Sequence, residues 1–333
     1  MTLRTITLSL LAVAASVHGA DYEGTARVKI LNYSDCIELQ NDTTRVVLGH
    51  QRGGRVLVYA YQGHNALYLD PDEANWQAGS EARIPVSAGR FDIGPEKRIP
   101  RRDVLWSGTW DAEITGPRSA RLTSQIDNAT GTQLVREFKL ARAGSHLVCT
   151  QIIRNVSDRA TEWCHWSRTF AEGQGICVIP LSPHSRFPND YVRYERGNLV
   201  NIAPEDPMIR NRDGFLEILG PPKQPKLGMD SIAGWFAYQM KSDLVFVKKY
   251  KTHPNRVYNE ALGLTISIWY PDGPMCELEP IGPRERLQPG EAAAFTEHWW
   301  LHPHPYPAED EDLNLKAIAQ LAEEHSIVQI DNR

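Results

Sequence analysis

The chain has little of what marks several protein classes. Beyond its first twenty residues, no apolar run reaches the roughly 20 residues a helix needs to cross a bilayer. Neither sign of charge dominates: 36 Lys and Arg stand against 41 Asp and Glu, for a net charge of −5 and a pI near 6.1. Nucleic acid is therefore not the expected partner. Cysteine is sparse, and Cys36, Cys149, Cys164, Cys177 and Cys276 show none of the paired spacing of zinc sites. Their odd number leaves at least one thiol free or paired between chains. His302-Pro303-His304 resembles a metal pair in residue type only, because Pro303 keeps the segment extended and no third ligand is close in sequence. No metal and no other cofactor is expected. No internal repeat and no low-complexity segment is present.

What the chain does have is apolar and aromatic mass. At 41% hydrophobic over 333 residues it can build a full core. The length suits about two domains, although β-sandwiches of this size often form one. Nine Trp and twelve Tyr are many, and flat apolar rings with a polar edge suit sugar-binding surfaces. The first twenty residues have the form of a secretory signal. Arg4 supplies the positive end, Ile6 to Val17 the apolar run, and Val17 and Gly19 the small residues before a cleavage point near residue 19 or 20. No Cys follows closely enough for a lipid anchor. The mature protein is expected to be soluble and exported, either secreted or periplasmic.

The rest reads as β-structure in series. Short strand candidates lie at Val28 to Leu31, Cys36 to Leu39 and Arg45 to Leu48, then a strong one at Arg55 to Tyr61. Residues 70–103 are polar, rich in Pro and Gly, and read as loops with few strands. Further strands are expected at Ala120 to Ile126, Gln133 to Ala141, His146 to Arg154, Thr161 to Phe170 and Cys177 to Pro180, a spacing typical of all-β folds. A hairpin joining His146–Arg154 to Thr161–Phe170 would set Cys149 roughly opposite Cys164, where a disulfide is geometrically conceivable; buried free thiols are the alternative. Residues 180–230 hold eight of the 22 prolines and read as a long excursion, a lid or cleft wall, or an ordered insertion. Strands resume at Ser231 to Gln239, Leu244 to Tyr250, Leu262 to Tyr270 and Ala292 to Leu301. Glu309 to Glu324 reads as a helix with Leu313, Ala317 and Leu321 on one face, packing on the outside of the sandwich. The expected organisation is a signal at 1–20, one β-domain at 21–307 and a C-terminal helix and tail at 308–333.

Two stretches could carry chemistry. In Met275 to Glu291, Glu277 and Glu279 sit two apart and share one strand face, before Pro280, Gly282 and Pro283 are expected to stop the strand. They suit an acid/base site or a pair of solvent-facing strand acids. In Thr161 to Phe170, alternation puts Trp163, His165, Ser167 and Thr169 on one face, and Cys164, Trp166 and Arg168 on the other. His165 suits a general acid, or an ordinary hydrogen-bonded histidine. Arg168, Arg186 and one of Lys248 and Lys249, which point to opposite faces, suit an acidic or sulfated sugar, or are solvated cations.

Asn155 to Phe170, NVSDRATEWCHWSRTF, resembles the segment of galactose mutarotases (aldose 1-epimerases) in which a turn and a strand lead to the catalytic histidine. Cys276 to Pro283, CELEPIGP, followed by Leu287-Gln-Pro-Gly-Glu291, resembles the strand that bears their catalytic glutamate. Gly53 to Leu67, GGRVLVYAYQGHNAL, resembles an early strand of the family. The three pieces occur in the family's order, and the chain looks closer to the superfamily's uncharacterised secreted families. The resemblance implies an all-β fold, a large antiparallel supersandwich. It implies Glu277, or alternatively Glu279, as base and His165 as acid, opening and reclosing a sugar ring. The substrate-binding positions would be Arg55, Asn65, Arg90, Trp106, Trp110, Trp166, Arg168 and Arg186. The family's second histidine has no clear counterpart; Trp106 to Trp110 lies in its place. A non-catalytic glycan binder, or a polysaccharide lyase or hydrolase on the same fold, are the competing readings.

Overall fold

A computed structural model of the chain describes residues 22–80 and 85–325. The signal-like segment lies outside them. Two antiparallel sheets, one of twelve strands and one of ten, stack face to face. In the larger sheet the strands that matter most run in the order Arg55–Tyr61, Gly89–Gly94, Thr161–Glu172, Met275–Leu287, Ile266–Trp269, Lys226–Met229. Leu278, Ile268, Leu227, Phe91 and Ala171 point inward from this sheet, and meet Phe246, Phe295, Trp299 and Leu301 from the smaller one. Alternation along each strand follows from the pleat: the residue between two inward neighbours must face out.

Polar groups cross the layer between the sheets. Lys248, fully buried, lies 3.0 Å from Glu297 and donates to Thr169 Oγ1 at 2.9 Å. Arg136 donates from one nitrogen to the carbonyls of Gly54 and Gly89 at 2.8 and 2.9 Å. A buried charge is tolerated only when it is paired and hydrogen-bonded in this way. Lys249, as alternation requires, lies on the opposite face.

Several expectations need correction. The strands Leu147–Asn155 and Thr161–Glu172 do not form a hairpin: the first pairs within the ten-stranded sheet, the second within the twelve-stranded one. Cys149 is on the inner face and Cys164 on the outer face of the other sheet, and all five cysteines are buried free thiols. Met275–Leu287 runs through Pro280 and Pro283 without stopping. Pairing slips beside the second proline, from Trp166↔Ile281 to Cys164↔Arg284, so Gly282-Pro283 forms a bulge where a missing N–H costs no ladder bond. The excursion at 180–230 is ordered. Its short strands Val192–Tyr194 and Phe215–Ile218 extend the edges of the two sheets. The C-terminal helix is shorter, Leu315–Glu323, capped by the Asn314 side chain, which accepts from Ala317 N. Its buried face is Leu315, Ile318 and Ala322 rather than Ala317 and Leu321, and it covers the outer face of the ten-stranded sheet, where the sequence placed it. Among the described residues, no helix is long and apolar enough to cross a membrane.

Candidate functional site

The strand Met275–Leu287 lies between Thr161–Glu172 and Ile266–Trp269. With Leu278 in the core, Glu277 and Glu279 face the outer side of the sheet. Cross-strand partners share a face, and this fixes who surrounds them: Phe170 and Trp269 stand opposite Glu277, and Ser267 opposite Glu279. Two and four residues before Phe170, Arg168 and Trp166 join that face, with Arg90 and Asp92 across from them on Gly89–Gly94.

Arg168 is the hub of the cluster. Its Nε donates to Glu277 Oε1 at 2.7 Å and lies 3.2 Å from Glu279 Oε1. Its Nη2 donates to Glu277 Oε2 at 3.4 Å, and its Nη1 stands 3.5 Å from Asp92. Lys226 Nζ donates to Glu279 Oε2 at 2.6 Å and is 4.0 Å from Glu96. Arg102 holds both oxygens of Asp92. The carboxylates of Glu277 and Glu279 have 0% exposure, whereas Arg168 and Lys226 keep 18% and 15%. A ligand approaching this face therefore meets the cations first.

Aromatic rings frame those cations. Trp106 lies 5.1 Å from the Arg168 guanidinium and 4.5 Å from that of Arg90. Trp166 lies 5.7 Å from Arg168 and 5.1 Å from Lys226 Nζ. These are cation–π distances. Trp166 is buried, and its indole Nε1 has no hydrogen-bond partner; Trp106 is half-buried. On the far side the Tyr194 hydroxyl donates to Glu260 at 2.9 Å, and Glu260 also accepts the Glu96 N–H at 2.8 Å. The 180–230 segment is thereby tied to the loop after Gly94.

The two glutamates differ in proton affinity. Burial is the largest influence on Glu277. Together with the neighbouring charge of Glu279 it outweighs Arg168 and lifts the carboxyl to about 7. Burial opposes ionisation of Glu279 too, but Lys226 and Arg168 prevail and hold it below the usual carboxylate value. Adjacent acids pushed apart in this way can serve as a proton acceptor and a fixed anion. Asp92 is likewise held low against burial, by Arg102 and Arg168.

His165 is not part of this arrangement. It faces the core, between Phe91 and Phe295, with ring centroids 5.8 and 5.7 Å away. Its Nε2 bonds the Ala293 carbonyl at 3.1 Å. Burial depresses its pKa to about 4. One sheet thickness separates its imidazole from the face of Glu277 and Glu279, so the expected acid–base pair across a sugar ring does not form. The other expected contacts divide. Arg168, Trp106 and Trp166 line the site. Arg90 backs it, 2% exposed and donating to the Trp106 carbonyl. Arg55 is buried against Glu73 at 2.5 Å, and Asn65 spends its amide on Tyr59 and Leu67. Trp110 is core, its indole N–H on the Leu105 carbonyl. Arg186 pairs with Asp230 at 3.2 Å, in the loop whose Phe187 packs beside Trp166.

Asp92, Arg102, Lys226, Tyr194 and Glu260 were not foreseen. Asp92 carried a signal, since it alternates with Arg90 in GRFDIG; Lys226, two strands and 53 residues from Glu279, carried none.

No family model and no curated protein sequence matches the chain. Solved structures do. A galactose mutarotase-like protein from Clostridium acetobutylicum is 10% identical, with a TM-score of 0.58 over 85% of this chain and 99% of its own. A galactose mutarotase-like protein from Lactobacillus casei is 11% identical, with a TM-score of 0.55 over 80% and 100%. The Slr1438 protein from Synechocystis is 15% identical, with a TM-score of 0.56 over 86% and 100%. The chain has the galactose mutarotase-like β-sandwich fold.

Proposed function

We propose that the chain is an exported carbohydrate-active protein that holds an acidic or sulfated sugar over Trp106, Trp166, Arg168 and Lys226, and moves a proton there with Glu277, as an epimerase-like isomerase does. The observation that carries this reading is the pair Glu277 and Glu279. They are fully buried, shifted in opposite directions, and roofed by two partly exposed cations beside aromatic faces. An anionic substituent would draw Arg168 and Lys226 toward itself through charge-assisted hydrogen bonds. That movement would bare Glu277 as a base whose proton affinity, about 7 with Arg168 in place, rises further as the guanidinium withdraws. The acid role does not fall to His165; Glu260, a buried carboxyl whose pKa burial raises, is the other proton carrier that meets this site through Tyr194 and Lys226.

A second reading, binding without turnover, draws support from the same ion pairs, because Arg168 and Lys226 neutralise both glutamates in the free protein. Calorimetric titration with uronic-acid, sulfated and neutral oligosaccharides tests the shared premise. Tighter binding of the anionic members, weakened at least tenfold by Trp106→Ala, supports it. Equal or absent binding across the panel rejects it. Export is tested by whether the protein made from the full sequence in a bacterial host appears outside the cytoplasm without residues 1–20.

A further inference from the structure

The outer face of the ten-stranded sheet carries a second concentration of titratable groups, independent of the sugar-binding reading. His298, Trp300 and His302 alternate along the strand Ala292–Pro303 and so share that face. His146 stacks on one side of Trp300 at 4.3 Å between ring centroids, and His325 on the other at 4.6 Å. The imidazoles also meet edge to edge. His146 Nε2 is 3.0 Å from His298 Nδ1, and His325 Nε2 is 3.1 Å from His302 Nε2. His325 follows directly on the C-terminal helix, so this stack joins the helix end to the sheet. Each pair presents two nitrogens, and among the described residues no group of three or more metal-ligating side chains gathers.

The charges that face this array come from every element around it. Lys249, on the neighbouring strand, donates to the Ala322 and His325 carbonyls at 2.5 and 2.6 Å, and so caps the helix C-terminus with a cation. Glu324 acts on His325, Glu323 on Lys249, and Glu297, from the inner face, on His298. The helix also makes apolar contacts, through Leu315, Ile318 and Ala322 in one cluster with Val245, Val247, Ala237 and Trp300. Upstream, Arg212 donates to the Leu313 carbonyl at 2.7 Å and Arg210 holds Asp312 at 2.5 Å. These bonds would anchor the chain if the helix beyond them lifted.

A neutral imidazole pair needs one N–H facing one bare nitrogen. One added proton leaves an N–H···N bond but places a positive charge beside Lys249, and a second added proton sets two N–H groups, and two positive charges, about 3 Å apart. We propose that the C-terminal helix is an acid-released latch: protonation of His302 and His325, with His146 and His298 behind them, frees residues 315–325 from the sheet while the anchors at Arg210 and Arg212 hold.

The direction follows from the proton affinities. Burial, then the neighbouring imidazole charges, lowers His146 and His302 from 6.5 to about 4; burial, then Lys249, lowers His325; burial also lowers His298, against Glu297. Groups depressed on docking favour the docked state above their free value and oppose it as pH falls from 6.5 toward 4. If His302 regains an ordinary imidazole on release, it alone shifts the docking equilibrium by about 30-fold between pH 8 and pH 5.

Amide hydrogen exchange of the whole protein, read by mass spectrometry and corrected for intrinsic exchange rates, tests the latch. Protection over residues 315–323 is expected to fall by about 30-fold or more from pH 8 to pH 5, while the strand Leu147–Asn155 keeps its protection. The variant H302Q/H325Q is expected to remove most of that difference. Tail protection that tracks the strand at every pH overturns the proposal, as does a double variant that keeps the full pH dependence. Should the double variant release the helix at every pH, the wild-type titration alone decides.

Discussion

Replacing Arg168 by Met removes the one side chain, among the described residues, that touches Glu277, Glu279 and Asp92 together. Met fills much of the volume, so the loss is of charge and hydrogen bonds rather than of packing. Breaking a buried ion pair by deleting one partner costs about 3–5 kcal/mol, because the other charge stays buried. Arg168 is mostly buried, Glu277 and Glu279 entirely so, and solvent screening takes little from that figure. The cost depends on pH. Glu277 already binds a proton more tightly in the fold than in the unfolded chain, at about 7 against an ordinary 4.5. A raised folded pKa contributes stability that is fully present below 4.5 and lost as pH rises through 7. Without Arg168 the affinity climbs further, which widens the window in which an ionised Glu277 is penalised. Urea unfolding should therefore show Arg168→Met losing about 3–5 kcal/mol at pH 8 and about half of that at pH 5, where Glu277 is protonated in both proteins. Arg168→Met/Glu277→Gln should recover part of the pH 8 loss. A loss below about 1 kcal/mol at both pH values, or one equal at both, would refute the electrostatic account of the cluster.

Four other outcomes follow from the same contacts. Lys248→Met leaves Glu297 buried without its cation and should cost about 3–5 kcal/mol in urea unfolding at neutral pH. His165→Phe places a ring between Phe91 and Phe295 and should leave sugar binding, measured by calorimetry, within about twofold of wild type, since His165 lies across the sheet from the site. It should also flatten the loss of stability below pH 6.5, because a histidine held near 4 stabilises the fold above its free value and ceases to as pH falls toward 4. The five thiols should react with a disulfide reagent only on unfolding; Cys177 and Cys276, 3.9 Å apart between the sheets, are as closed to solvent as the rest.

Strand positions were readable where alternation is visible, as in Leu147–Asn155, or where β-branched and aromatic residues crowd a short run, as in Arg55–Tyr61 and Leu244–Tyr250. The same alternation already separated His165 from Arg168. The resemblance to mutarotases pulled His165 toward catalysis, although the pleat sends it and Arg168 to opposite sides of one strand. Gly89–Gly94 escaped notice because it is buried on both faces and begins with glycine, so neither period nor propensity marks it. The false hairpin at Asn155–Ala160 arose because local sequence shows a turn between two strands, not whether the second strand joins the first one's sheet. Prolines suggested an end to the glutamate strand, and only the register slip opposite Cys164 and Trp166 shows how it continues. Lys226 pairs with Glu279 through strand order alone, which no local pattern records.

Anomer exchange followed by NMR, over a panel that includes uronic acids and sulfated sugars, tests the central claim most directly. The account predicts that at least one anionic sugar exchanges faster with the protein than in buffer, with a rate that rises through pH 7 as Glu277 ionises. Glu277→Gln should lower that rate by about a hundredfold or more, while binding survives. A panel on which no sugar exchanges faster than buffer, or a Glu277→Gln variant as active as wild type, contradicts it.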